Sequence, residues 1–528
     1  MRRFYGSAGL VAVALLTVAL ALAPEESLDL AVLTQIRDEG YNRSQVMETA
    51  GYLCDVIGPR LTGSPAYKKA HEWTRERLEK WGLKNSRLES WDFGQGWSVE
   101  RVSVHMTEPT AAPLVAMPLG WSPGTEGPVR GKVIKARLES EQDLAAYKGK
   151  VGGMILLTAD APDLKVHEEP EFRRYSEEQL QELSQFRPVG RRRGDPDDYA
   201  RRRRFARAFN QFLAEQKPLA VIAPAGADGG TIRLIRSGQK AGEAIPFPYL
   251  IMAAEHYARI VRLLDRDIPV ELELDIRVKF SVERQEGYNT LAEIPGTDLS
   301  DQVVMLGAHL DSWHLGTGAT DNAAGVSVVM EAARILNALR VKPRRTIKVA
   351  LWGGEEQGFL GSRAYVSKYL AARPEPAGSE EDREGVRSEP GDLQIKPDYS
   401  KFSAYFNLDN GTGRIRGIYL QGNAALRPVF EAWLKPIHDL GATTVTMRST
   451  SGTDHVPFDS VGLPGFQFIQ DEVEYFSRTW HTNMDVYDRL QREDLMQASV
   501  VMAWFAYNAA MRDELLPRKP MPETKPAS

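Results

Sequence analysis

A chain of 528 residues with 42% hydrophobic and 26% charged residues is composed like a globular protein, not a disordered or fibrous one. Its net charge of −5 offers no bulk attraction to nucleic acid. The single cysteine, Cys54, excludes an intramolecular disulfide framework, so stability must come from the core, with bound metal as a second source.

The length suits two to four domains, or one large α/β domain carrying an insertion. Arg2 and Arg3 precede an apolar run over 8–23 that ends in Ala19, Ala21 and Ala23. Charge, length and small residues predict a signal peptide over 1–23, cut after Ala21 or Ala23; the run is short for an uncleaved spanning anchor. The expected location is therefore periplasmic or secreted, with no stable membrane insertion after cleavage. Residues 28–85 read as helix, turn, helix, with Gly58 to Pro65 as the turn and Gly82 as the stop. Cys54 is expected there as a small buried hydrophobe. Residues 86–110 alternate as strands.

The texture changes over 113–276. Short apolar runs at 131–134, 151–157, 220–223 and 248–252 predict an inserted β-rich domain, with a helix over 143–150. The arginine runs at 191–193 and 201–204 are interleaved with Asp195, Asp197 and Asp198. That pattern points to a solvated helical face or surface extension, not to a nucleic-acid site.

From 288 to 512 strands and helices alternate: strands at 303–308, 347–352, 402–408, 418–421 and 465–470, and helices at 323–339, 361–370, 425–440 and 495–511. This predicts an α/β fold, a mainly parallel mixed sheet with helices on both faces and ligands at the carboxyl strand ends. Residues 373–399 read as a loop or partly disordered insertion, and 516–528 as a frayed polar tail. The main domain is thus 28–112 and 277–515, interrupted by 113–276.

Six residues sit at or beside predicted strand ends: His309, Asp321, Glu355, Glu356, Asp409 and His481. Imidazole nitrogen and carboxylate oxygen are the ligands of hydrolytic zinc, which keeps one position open for water. Asp321 opens a helix from a loop, and its two oxygens can serve one metal each. Asp311, two residues past His309, is placed to orient that imidazole. Singly, each residue has a plain alternative: a surface His-x-Asp, a solvated helix start at the Glu pair, a turn at Asp409, a loop histidine at His481. Spacing alone also leaves open which glutamate binds metal and which moves protons.

The ordered set His-Leu-Asp-Ser-Trp (309–313), Gly-Ala-Thr-Asp-Asn-Ala-Ala-Gly (318–325), Trp-Gly-Gly-Glu-Glu-Gln-Gly-Phe-Leu-Gly-Ser (352–362), Asn-Leu-Asp (407–409), Gly-Thr-Asp-His (452–455) and His-Thr-Asn-Met-Asp (481–485) resembles the di-zinc exopeptidase family of aminopeptidase Y, glutamate carboxypeptidase and carboxypeptidase Q. Cys-Asp-Val-Ile-Gly-Pro-Arg-Leu-Thr-Gly-Ser (54–64) is similar to that family's N-terminal segment. The resemblance covers 41–110 and 280–512; the insert looks like a protease-associated domain by position and strand texture. It implies two zinc ions per chain, one on His309, Asp321 and Asp409 and the other on Asp321, Glu356 and His481. It also implies that Glu355 is the general base acting on a metal-bridging water. Several family members place a tyrosine before the last histidine, where this chain has Trp480. Tyr475 and His455 are the substitutes for the oxyanion contact. Asp454, Arg414 and Arg448 are candidates for holding a substrate terminus.

The implied function is hydrolysis of short peptides or dipeptides, as an aminopeptidase or dipeptidase ahead of a carboxypeptidase. A one-zinc glutaminyl cyclase and a non-catalytic receptor-like protein are more remote, because all five ligands for two metals are present. The expected partners are peptide substrate and, through the insert, a second copy of the chain; the insert's other candidate roles are gating the cleft and remote substrate binding.

Overall fold

The computed structural model describes residues 26–185, 196–234, 242–373 and 392–520. The leader at 1–23, the arginines at 191–193, most of the 373–399 loop and the end of the tail lie outside the described residues. No helix among the described residues is long and apolar enough to cross a membrane.

Parallel strands Leu299–His309, Arg345–Trp352, Phe402–Asn407 and Gly465–Gln470 form the centre of a 14-stranded sheet. Both faces are covered, and the side chains sort with the period of two that a strand imposes. Val304, Leu306, Val349 and Leu351 face one core with the helices Leu30–Asn42, Ala324–Ala338 and Arg492–Met511. Met305, Ala350 and Trp352 face the opposite core with Tyr365, Tyr405 and Phe458. Truncating a fully buried Trp352 to alanine would cost roughly 3–5 kcal/mol. Cys54 is buried and free, in the first of these cores.

The segment expected as several strands over 86–110 is one strand, Lys84–Glu108, paired antiparallel with Glu271–Ile294 over most of its length. One end of this ribbon joins the main sheet through Ile294 and Ile347. The other end joins the insert, where Leu274 lies opposite Val129. The insert's strands Val129–Lys135, Ile155–Leu157, Ala220–Pro224 and Tyr249–Met252 are parallel and continue the same sheet. They are short, and helices Glu141–Tyr147, Glu177–Ser184, Pro196–Gln216 and Ala254–Leu264 accompany them, so the insert is α/β in detail. Separate apolar clusters line its two faces. The charged stretch is helical where described, as a solvated face requires.

The start of the tail is docked, not frayed. Leu516 is buried, Arg518 donates to the carbonyls of Tyr399 and Phe402, and Lys519 pairs with Asp459. Long cationic side chains found buried acceptors that polarity alone does not reveal.

Candidate active site

Register brings the site together. His309 ends its strand directly opposite Trp352, and Gly307 lies opposite Asn407. The strand ends at His309, Trp352 and Asn407, and the residues just past them, therefore emerge on one edge of the sheet. After Trp352 the chain turns through Gly353 and Gly354. A β-carbon on Gly353 would stand 1.9 Å from the Tyr67 hydroxyl, and Gly354 has φ +71°. Only glycines allow this turn, which delivers Glu355 and Glu356 to the edge. Helix Ala324–Ala338 starts hard against the Asp409 turn: a β-carbon on Gly325 would lie 2.3 Å from the Leu408 carbonyl. Asp321 precedes that helix, across a cis peptide to Asn322.

The Asp321 carboxylate stands between two groups. Its Oδ1 is 3.2 Å from His309 Nε2, which is also 3.1 Å from Asp409 Oδ1. Its Oδ2 is 3.4 Å from His481 Nε2, which is 2.9 Å from Glu356 Oε2. Ligand atoms of His309, Asp321 and Asp409 lie within 4.8 Å of one another, as do those of Asp321, Glu356 and His481. The geometry thus assembles the two sets of three that the sequence motifs imply. Glu355 stands apart: it is buried, it lines the cleft, and its carboxylate has no protein hydrogen bond among the described residues.

The donor chemistry fits metal ions. His309 Nδ1 lies 3.0 Å from the Asp311 carbonyl, an acceptor only, so this nitrogen carries the proton and Nε2 turns a lone pair toward two carboxylates. Asp321 Oδ2 and Glu356 Oε1 are buried without a hydrogen-bond partner. Lone pairs converging in this way require a cation. The protonation energetics agree. Burial pushes Glu356 up to about 7 and Glu355 well above the usual carboxylate range. Burial works against a charged His309, but the Asp409 and Glu355 charges outweigh it and raise that imidazole well above 6.5.

Supporting residues hold the cluster. Asp311 does more than steer His309: its carboxylate is 3.6 Å from the imidazole, while it accepts the backbone N–H groups of Glu355 at 3.2 Å and Glu356 at 3.3 Å, and the Thr62 hydroxyl at 3.1 Å. Sequence reasoning missed Asp485, although it lies inside the quoted His481 motif. Its carboxylate accepts the N–H groups of Thr320 at 2.6 Å and Asp321 at 3.1 Å, fixing the loop that carries Asp321. It also missed Arg60, fully buried, whose guanidinium donates to the carbonyls of Leu310, Thr317 and Gly318, each at 2.8 Å. The basic residue in Gly-Pro-Arg-Leu-Thr-Gly was the available signal for Arg60.

The cleft has a volume of about 410 Å³ and contains Asp321, Glu355, Glu356, Asp409 and His481 in its wall. Tyr475 also lines it together with Asp321; burial raises this phenol well above 10, so it stays a donor. Asp454 and His455 are not in the wall. Asp454 accepts from Ser362 and is pushed up to about 8 by burial. His455 Nε2 faces the Thr450 carbonyl at 3.1 Å, and burial lowers it to about 4. Arg414 pairs with Asp494, and Arg448 donates to the Glu182 carbonyl. Both therefore lie outside the cleft wall. Trp480 does line the cleft and stacks on His481, with ring centroids 4.0 Å apart. A broader, shallow depression of about 590 Å³ over 165–173 of the insert holds none of His309, Asp321, Glu355, Glu356, Asp409 and His481.

The α/β sheet covered on both faces, with this cluster at its strand ends, agrees with a hydrolase of the peptidase class. Residues 289–506 match the model of Peptidase family M28. Carboxypeptidase Q from Mus musculus is 25% identical over 494 residues, covering 93% of this chain and 90% of the relative. Aminopeptidase YwaD from Bacillus subtilis (strain 168) is 28% identical over 218 residues, 40% of this chain and 42% of the relative. Among solved structures, a peptidase M28 precursor from Shewanella amazonensis SB2B is 26% identical with a TM-score of 0.64, covering 93% of this chain and 98% of that one. A zinc aminopeptidase from Bacillus subtilis shares the fold, with a TM-score of 0.56 at 19% identity over 89% of this chain and 95% of that one.

Proposed function

We propose that the protein is an exported exopeptidase that binds two zinc ions and releases the N-terminal residue of short peptides or dipeptides. The observation that carries this reading is the division of labour around Asp321. One carboxylate serves two sets of three ligand atoms, while Glu355 faces the cleft unpartnered. His309, Asp321 and Asp409 would hold one ion, and Asp321, Glu356 and His481 the other. Bound zinc would supply a lowered water pKa and a polarised substrate carbonyl. Glu355 takes the proton of the attacking water and delivers it to the leaving amine. Burial keeps its proton affinity high enough for both transfers. Tyr475 donates its hydroxyl to the oxygen that gains charge as the carbonyl is attacked. Asp311 positions both glutamates through their backbone.

The amino direction is supported by the charge of the cleft. Its described lining contains no arginine or lysine that could receive a substrate carboxylate. The relatives named carboxypeptidase Q keep a carboxypeptidase as the second reading. Two measurements decide. Metal analysis should give two zinc ions per chain, and free dipeptides should be hydrolysed in a chelator-sensitive manner. Blocking the N-terminus should abolish hydrolysis; cleavage that survives blocking establishes the carboxypeptidase instead. Absence of zinc together with absence of hydrolysis across a peptide panel would remove both.

A further inference from the structure

The cleft has a second acidic group that the chemistry above does not use. Glu472 lines it, yet its carboxylate has no hydrogen bond or ion pair among the described residues. The preceding residue, Asp471, is the opposite case. It is fully buried and pairs with Arg174 at 2.9 Å and Arg416 at 3.2 Å. The cations near this wall are thus engaged with other groups: Arg174 also reaches Asp494 at 2.7 Å, and Arg448 donates to the Glu182 carbonyl at 2.6 Å. Glu472 is left facing the cleft.

Its surroundings are aromatic and rigid. Tyr175 and Tyr419 line the same cleft. Tyr175 comes from the insert, and its N–H donates to Asp471 Oδ1 at 3.0 Å. Arg173 and Val473 exchange backbone hydrogen bonds of 2.8 and 2.7 Å, fixing the chain immediately after Glu472. Burial raises the phenols of Tyr175 and Tyr419; after burial, Tyr175 is raised by Tyr419 and then by Glu472, while at Tyr419 the Arg448 charge opposes and Glu472 adds to the rise. Tyr475 is raised by burial and then by Asp321, Asp409 and Glu356. The cleft therefore has a metal-facing floor beside Tyr475 and a distal acidic wall at Glu472. An α-ammonium lies next to the scissile carbonyl and so stays near the floor. A group that reaches the distal wall must come from a long side chain.

We infer that Glu472, between Tyr175 and Tyr419, forms a subsite that selects a cationic substrate side chain, that of lysine or arginine. The aromatic rings cover the aliphatic stem and favour the cation, and the carboxylate receives its head. The inference rests on the peptidase reading for its substrate. Its test uses the full zinc-loaded chain with Lys-Ala, Leu-Ala, Glu-Ala, Ala-Lys, Ala-Leu and Ala-Glu. At one of the two positions lysine should exceed leucine in kcat/KM. Glu472→Gln should lower that lysine-to-leucine ratio about tenfold, the usual effect of losing a charged hydrogen bond. Glu472→Arg should turn the preference toward glutamate. Ratios unchanged in both variants would overturn the subsite and leave the peptidase reading intact. Hydrolysis of none of the six would strike the peptidase reading itself. Calorimetric binding of lysinamide against norleucinamide, in wild type and Glu472→Gln, then still decides the subsite: equal affinities in both proteins would overturn it.

Discussion

The two sets of three ligand-type atoms that meet at Asp321 contain the same kinds of group but have different sources of order. His309 and Asp409 leave adjacent parallel strands, and His309 is 1% exposed. Behind them, Trp352, Tyr405, Asn407 and Thr453 form a buried hydrogen-bonded chain. The His481 half is built on a loop. His481 has φ 58°, its side chain is 19% exposed, and Trp480 covers one face. Contacts from the insert hold that loop. Leu234 N–H donates to the His481 carbonyl at 2.9 Å, Ile232 N–H to Asn483 Oδ1 at 2.7 Å, and the Arg233 guanidinium to the carbonyls of Phe476 and Ser477. One half is a property of the sheet; the other depends on how the insert docks.

The most severe way to break this contrast is to remove the shared residue. Asp321→Ala should lose both zinc ions and all turnover, since ligation and activity are coupled. Retention of one ion at full stoichiometry would show that Asp321 is not shared. Next is Glu355→Gln, which leaves both halves intact: kcat should fall by about 10³ with two zinc ions retained. Loss of metal in that variant would reassign Glu355 as a ligand. Tyr475→Phe should lower kcat by about 10² with little change in KM, as the loss of a donor to developing charge does.

Smaller effects sharpen the asymmetry. Arg233→Ala and Asn483→Ala, both remote from the ligand atoms, should weaken one zinc site by about ten- to a hundredfold and leave the other unchanged. Competitive chelator titration reads the two affinities separately; equal weakening of both would remove the distinction. On the sheet side, Asp454 is fully buried and pushed up to about 8, so in the metal-free protein the fold holds a proton that the unfolded chain releases near pH 4. Stability should therefore fall as pH rises from about 4 to about 8. Asp454→Asn should flatten that slope and gain roughly 1–2 kcal/mol at the alkaline end, measured by denaturant unfolding.

The same contrast explains what was legible in the sequence. The sheet half could be read because an apolar run followed by His309, Glu355 or Asp409 marks a strand end, and parallel strands align their ends. The roles of Glu355 and Glu356 came only from motif resemblance, because both follow the same strand; in the structure the carboxylate of Glu356, not Glu355, meets His481. Asp485 escaped notice because its acceptors serve backbone N–H groups, which leave no trace in residue type at the other end. The bonds between 232–234 and 481–483 escaped for the same reason, across about half the chain. Asp454 and His455 looked available only because polarity does not reveal burial.

The long antiparallel ribbon of Lys84–Glu108 and Glu271–Ile294 has a consequence for grafting and recombination. An exchange of residues 113–276 between relatives would import the far end of one rail while keeping the whole of the other. Cross-strand pairs such as Val104 with Leu274 would then join two lineages inside a single ladder. A chimaera that carries both rails together would keep every such pair native. The natural unit of exchange is therefore the ribbon with its cargo, and the junctions belong at Lys84 and Ile294.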